Sequence, residues 1–165
     1  MTADAPELAP VEGRAEIVFR PMLKGDTPFF AHSWLKSFQR SDAVRGVSSE
    51  TYFYFHHRLL ERLLQRSRVV MACEKRDPDR LHGFACFEDL SGTCLLHYVY
   101  VRGSRRRLGI GAALIDEALR ACKPLPGALV WTHRTKGSDR WLGKYARERR
   151  LAALYNPYLM HEATR

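Results

Sequence analysis

No apolar run in the sequence approaches the roughly 18 residues that a membrane span needs, which argues against a membrane helix. The N-terminal stretch is acidic and rich in Pro and Ala rather than basic and apolar, so it does not read as a secretory signal. Cysteine is scarce: Cys73, Cys86, Cys94 and Cys122 are the only four, with no Cys-x-x-Cys pair. They read as reduced core residues of a cytoplasmic protein, and neither a disulfide framework nor a metal site is expected. Acidic residues are in short supply, 18 against 27 basic, giving a net charge of +9. That balance suits a polyanionic ligand, a nucleic acid or an acidic protein partner. The groups Arg62/Arg66/Arg68 and Arg147/Arg149/Arg150 carry no nucleic-acid motif and read as solvated faces. Finally, the glycines do not form Gly-x-Gly-x-x-Gly, nor are they followed by the Lys-Ser/Thr of a phosphate-binding P-loop, which argues against dinucleotide and nucleoside-triphosphate sites of those kinds.

What is present centres on residues 95–119. Leu95-Leu96-His97-Tyr98-Val99-Tyr100-Val101 is apolar, aromatic or β-branched and predicts a buried strand. Ile110, Leu114, Ala118 and Ala121 recur at helical spacing and predict a helix over 109–122. Between them lies a basic loop, Arg102-Gly103-Ser104-Arg105-Arg106-Arg107-Leu108-Gly109. A strand that feeds a glycine turn at a helix N-terminus makes an anion site. The first helical N–H groups have no intrahelical partner, and the helix dipole adds partial positive charge. Gly109 and Gly111 let an anion approach the backbone closely, and Arg105, Arg106 and Arg107 add full charges. A pyrophosphate is the ligand this order of elements suggests.

Arg106-Arg107-Leu108-Gly109-Ile110-Gly111 resembles the Arg/Gln-x-x-Gly-x-Gly/Ala signature of the Gcn5-related N-acetyltransferases (GNAT). Gly103 stands where that family usually has Pro. The resemblance implies a mixed α/β (α+β) fold of the acyl-CoA N-acyltransferase type. It implies acetyl-CoA as cosubstrate, with pyrophosphate on the backbone N–H groups of Arg107, Leu108, Gly109, Ile110, Gly111 and Ala112 beside Arg106. It also implies that Val99 and Val101 pair through their backbone with the pantetheine arm, between two splayed parallel strands. The His97–Val101 region further resembles some bacteriophage and prophage members.

A chain of 165 residues predicts one domain. Residues 1–15 mix Pro, Ala, Glu and Gly without periodicity and read as a flexible leader, with the domain over 16–165. Ile17–Pro21 predicts a first strand, and Asp26-Thr27-Pro28 a helix start with Asp26 as cap. Phe30, Trp34 and Phe38 make a core stripe on that helix. Ser48 or Ser49 caps a second helix through Arg66, with a stripe of Tyr52, Phe55, His56, Leu59, Leu60, Leu63 and Leu64. The adjacent His56 and His57 diverge and cannot ligate one metal together. Val69–Glu74, Leu81–Phe87 and the 95–101 strand form an antiparallel meander. Ala128–His133, reached by a helical crossover, should lie parallel to the last of these. One short strand is expected at Tyr158–His161, with little room for the family's final hairpin; an edge completed by a partner subunit would accommodate that.

The resemblance implies direct acetyl transfer from acetyl-CoA to a primary amine. Its usual general acid is a tyrosine on the helix after the fifth strand; here that is Tyr145, although Arg150-Leu151 stand where Gly-Phe is expected, and Tyr155 is a rival. As base, His97 is the best-typed residue: it is expected on the face of Val99 and Val101, and imidazole titrates near neutral pH. Glu88 and Asp89 are alternatives. A non-catalytic acetyltransferase-like module binding protein or nucleic acid, and a transferase for longer acyl chains, are the competing functions. The basic rim is expected to repel polycationic amines such as spermidine.

Overall fold

The computed structural model describes residues 16–161; the leader over 1–15 lies outside them. One six-stranded sheet runs in chain order: β1 (Ile17–Pro21), β2 (Arg68–Glu74), β3 (Leu81–Asp89), β4 (Thr93–Val101), β5 (Ala128–Trp131) and β6 (Ala152–Tyr155). β1 to β4 are antiparallel neighbours. β4, β5 and β6 are parallel, β5 being reached through α3 (Ile110–Ala121) and β6 through α4 (Ser138–Glu148). α1 (Thr27–Gln39) and α2 (Ser49–Arg66) lie between β1 and β2 in sequence. This is the mixed α/β architecture expected of an acyl-CoA N-acyltransferase.

Two apolar layers sandwich the sheet. On one side Phe30, Trp34, Phe38, Leu59, Leu60 and Leu63 of α1 and α2 pack on Phe84, Cys86 and Tyr98. On the other, Ile110, Leu114, Ile115 and Ala118 of α3, with Leu142 and Tyr145 of α4, pack on Ala85, Phe87, Leu96 and Leu129. The four cysteines are free and buried. Ser48 caps α2 as expected, accepting the Thr51 N–H at 3.2 Å.

Four local expectations are corrected. Asp26 does not cap α1 with its side chain; it accepts from Arg20 (2.6 and 3.1 Å) and from the Leu23 N–H (2.8 Å), bracing β1 instead. Phe55 leaves the α2 stripe and is 63% exposed, because its position turns off the core face. Arg66 is not on a solvated face: it pairs with buried Glu88 (3.0 Å) and donates to the Leu159 and Met160 carbonyls. The last strand is Ala152–Tyr155 rather than Tyr158–His161, and Pro157–Met160 is a short 3-10 turn, consistent with the proline at its start.

Candidate active site

β4 outruns its parallel neighbour. The two pair from Thr93↔Ala128 to Leu96↔Trp131, and the Thr132 N–H still reaches the Leu96 carbonyl (3.1 Å). β4 then continues to Val101 while β5 has ended. The gap opens into a cleft of about 660 Å³ lined by Leu96, His97, Tyr98, Val99, Tyr100 and Val101 of β4, by Trp131 and His133, and by Ser37, Arg40 and Ser41 from the α1 side. Arg105, Arg106, Arg107 and Lys136 form its basic rim.

The floor at the rim end is the start of α3. Gly109 is the N-cap with φ +79°, a left-handed value that favours glycine. The first intrahelical bond runs from the Ala113 N–H to the Gly109 carbonyl (3.0 Å), so the N–H groups of Ile110, Gly111 and Ala112 have no acceptor within the helix. A Cβ on Gly111 would stand 3.3 Å from the Trp141 ring, so a side chain there would crowd the cleft. Arg106 donates to the Val101 carbonyl (3.2 Å), tying the loop to the end of β4, and Arg107 takes φ +64°. Of the expected anion-binding residues, Leu108 alone does not line the cleft; its side chain is exposed. This bare backbone cradle fits a pyrophosphate. Among the described residues no group of three or more His, Cys, Asp or Glu is placed to hold a metal ion.

The expected catalytic residues fare differently. His97 lines the cleft but does not share the face of Val99 and Val101. The β3–β4 register shifts between Phe87↔Leu96 and Cys86↔Tyr98, which makes His97 the extra residue of a β-bulge. Leu96, Val99 and Val101 therefore pack towards α3, whereas the buried His97 ring meets Glu88 (Nε2 to Oε1, 2.7 Å) and Thr132 (Nδ1 to Oγ1, 3.0 Å). Burial lowers the His97 pKa, outweighing the Glu88 carboxylate that raises it. The chain of contacts goes on from Thr132 Oγ1 to His133 Nδ1 (2.9 Å). His133 was not singled out by the sequence. Its ring packs on Trp34, Phe38, Tyr98 and His56 at centroid distances of 4.8 to 6.0 Å. Burial holds its pKa well below the ordinary value.

Tyr145 is buried, and its hydroxyl donates to Asp116 of α3 (2.6 Å), not into the cleft. Burial and that carboxylate hold the phenol far above its usual pKa. Arg150, which stands where the resemblance places glycine, adopts the left-handed φ of +55°. Tyr155 lies outside the cleft lining, beneath the Arg134 guanidinium (4.0 Å). Asp89 accepts from the Lys123 N–H (2.8 Å). His56 is stacked between Phe38 and Tyr52, and burial lowers its pKa to about 4; His57 is exposed beside Glu61.

A family model, the Acetyltransferase (GNAT) family, matches residues 30–147. Comparison with proteins of curated function finds no match. Among solved structures, a possible acetyltransferase from Clostridium difficile 630 is similar at 14% identity and TM-score 0.58, over 90% of this chain and 97% of that one. A ribosomal-protein-alanine N-acetyltransferase from Brucella melitensis is similar at 16% identity and TM-score 0.56, over 80% and 82%. Glucosamine-6-phosphate N-acetyltransferase from Arabidopsis thaliana is similar at 10% identity and TM-score 0.51, over 79% and 90%. At such identities the likeness is one of fold.

Proposed function

The chain belongs to the acetyltransferase (GNAT) family, and we propose that it moves an acetyl group from acetyl-CoA to a primary amine by direct transfer. One observation carries this reading: β4 continues beyond β5 beside the glycine-capped start of α3, so a polar strand edge and an anion cradle share one cleft. The cosubstrate would supply an activated acetyl thioester. The chain's own groups do the rest. The N–H groups at the start of α3 hold pyrophosphate, and Arg105, Arg106, Arg107 and Lys136 balance its charge. The free edge of β4 near Val99 and Val101 aligns an extended arm as an added strand. A backbone N–H of β4 directed at the thioester oxygen would contribute about 3 kcal/mol in the transition state if it acts as other oxyanion donors do.

Isothermal titration with acetyl-CoA at two salt concentrations tests the proposal. Saturable binding near one site per chain is the expected result; no binding at either salt overturns it. The second reading, a non-catalytic module for a protein or nucleic-acid partner, draws on the engagement of Tyr145 by Asp116, away from the cleft. Strongly salt-dependent nucleic-acid affinity without acetyl-CoA binding would favour it.

A further inference from the structure

A buried polar chain crosses the sheet from α2 to the cleft: Arg66, Glu88, His97, Thr132, His133. Its links are 3.0, 2.7, 3.0 and 2.9 Å. The direction of each hydrogen bond follows from the first. Glu88, held against the Arg66 guanidinium, is a carboxylate and accepts, so His97 donates through Nε2–H. A neutral His97 then has a bare Nδ1, which accepts the Thr132 hydroxyl proton. Thr132, having given its one proton, accepts from His133 Nδ1–H. The lone pair of His133 is thereby left on Nε2. That atom is buried and has no hydrogen-bond partner among the described residues, while His133 itself lines the cleft where β5 stops.

We propose that His133 is the general base of the acetyl transfer, and that Glu88, His97 and Thr132 are positioning residues that lock its tautomer. This rests on the acetyl-transfer reading above. Directly or through one water, His133 Nε2 takes the proton that the amine loses as its nitrogen bonds to the acetyl carbon. The carbon–sulfur bond breaks with its electron pair going to sulfur, and the proton then passes from His133 to that sulfur. No net proton is gained or lost. The titratable and charged groups around His133 are His56 and Arg66 of α2, Glu88 of β3, His97 and Tyr98 of β4, and His161 of the C-terminal turn.

The test has two parts. Long-range proton–nitrogen correlation on 15N-histidine-labelled full-length protein at pH 7 reads the tautomers directly, with His133→Gln and His97→Asn assigning the signals. Nδ1–H at His133 and Nε2–H at His97 are expected; Nε2–H at His133 overturns the proposal. Acetyl transfer is then followed as thiol release from acetyl-CoA with a panel of amino acids and short peptides. Thr132→Val is expected to keep acetyl-CoA binding and lower kcat by about tenfold or more, with Thr132→Ser restoring it; His133→Gln should lose about 10² to 10³. A Thr132→Val chain as fast as the parent overturns the role of the relay. Failure of the parent chain to bind acetyl-CoA would instead remove the acetyl-transfer reading, while the tautomer measurement still decides the locking.

Discussion

The position a Cβ would take on Gly111 is 3.3 Å from Cη2 of Trp141. The first turn of α3 and the start of α4 thus meet across the cleft with no room for a side chain between them. Gly111→Leu is expected to displace Trp141 and weaken acetyl-CoA binding by tenfold or more, about 1.4 kcal/mol, as read by calorimetry. Gly109→Ala acts differently. Nothing lies within 4 Å of its added methyl, but the φ of +79° remains. It should cost about 1–2 kcal/mol of stability through backbone strain alone.

Tyr145→Phe is expected to behave as a stability variant. It removes the hydroxyl from Asp116, which keeps the Arg149 guanidinium at 2.7 and 3.0 Å. The loss should be about 1.5–3 kcal/mol in denaturant melts, with kcat unchanged. A large fall in kcat at unaltered stability would return Tyr145 to the catalytic machinery.

Acid should destabilise the fold through Asp26. The Arg20 hydrogen bond lowers its folded-state pKa, outweighing the burial that raises it. For a group depressed in this way, the contribution is fully present above the unfolded value near 3.9 and is lost as pH falls through the folded one. Asp116 has the same sign: burial raises it, but Arg149 and Tyr145 together prevail. Melting temperature should therefore fall steadily below about pH 4, and less steeply in Arg20→Leu.

Arg66 couples the C-terminal turn to the buried chain behind the cleft. Arg66→Leu leaves Glu88 without its guanidinium and strips the Leu159 and Met160 carbonyls of a donor. A loss of roughly 3–5 kcal/mol is expected, as for breaking other buried ion pairs from one side. Hydrogen exchange should rise first at residues 157–161.

The glycine loop and most elements were legible because their signals are local. Helical stripes such as Phe30, Trp34 and Phe38, the strand pattern of 95–101 and the Arg-x-x-Gly-x-Gly spacing each fall within a few turns of chain. What escaped depends on register. The bulge at His97 reverses the face of its side chain, and no single-strand pattern announces it. His133 becomes interesting only once β4 and β5 are aligned so that Thr132 faces His97. Tyr145 is on the expected helix, but its hydroxyl turns to Asp116 of α3, a partner 29 residues away in the chain that no local pattern reveals. β6 was missed because Ala152–Tyr155 is short and mostly exposed, with little burial pattern to read.

The overhang of β4 also bears on how such a site tolerates change. A ligand gripped along a strand's edge is recognised by amide groups that every residue except proline possesses. On the proposed reading, valine could become isoleucine or threonine at 99 or 101 with the grip intact, so a substitution scan of β4 would find that stretch nearly silent, and only a proline scan would reveal it.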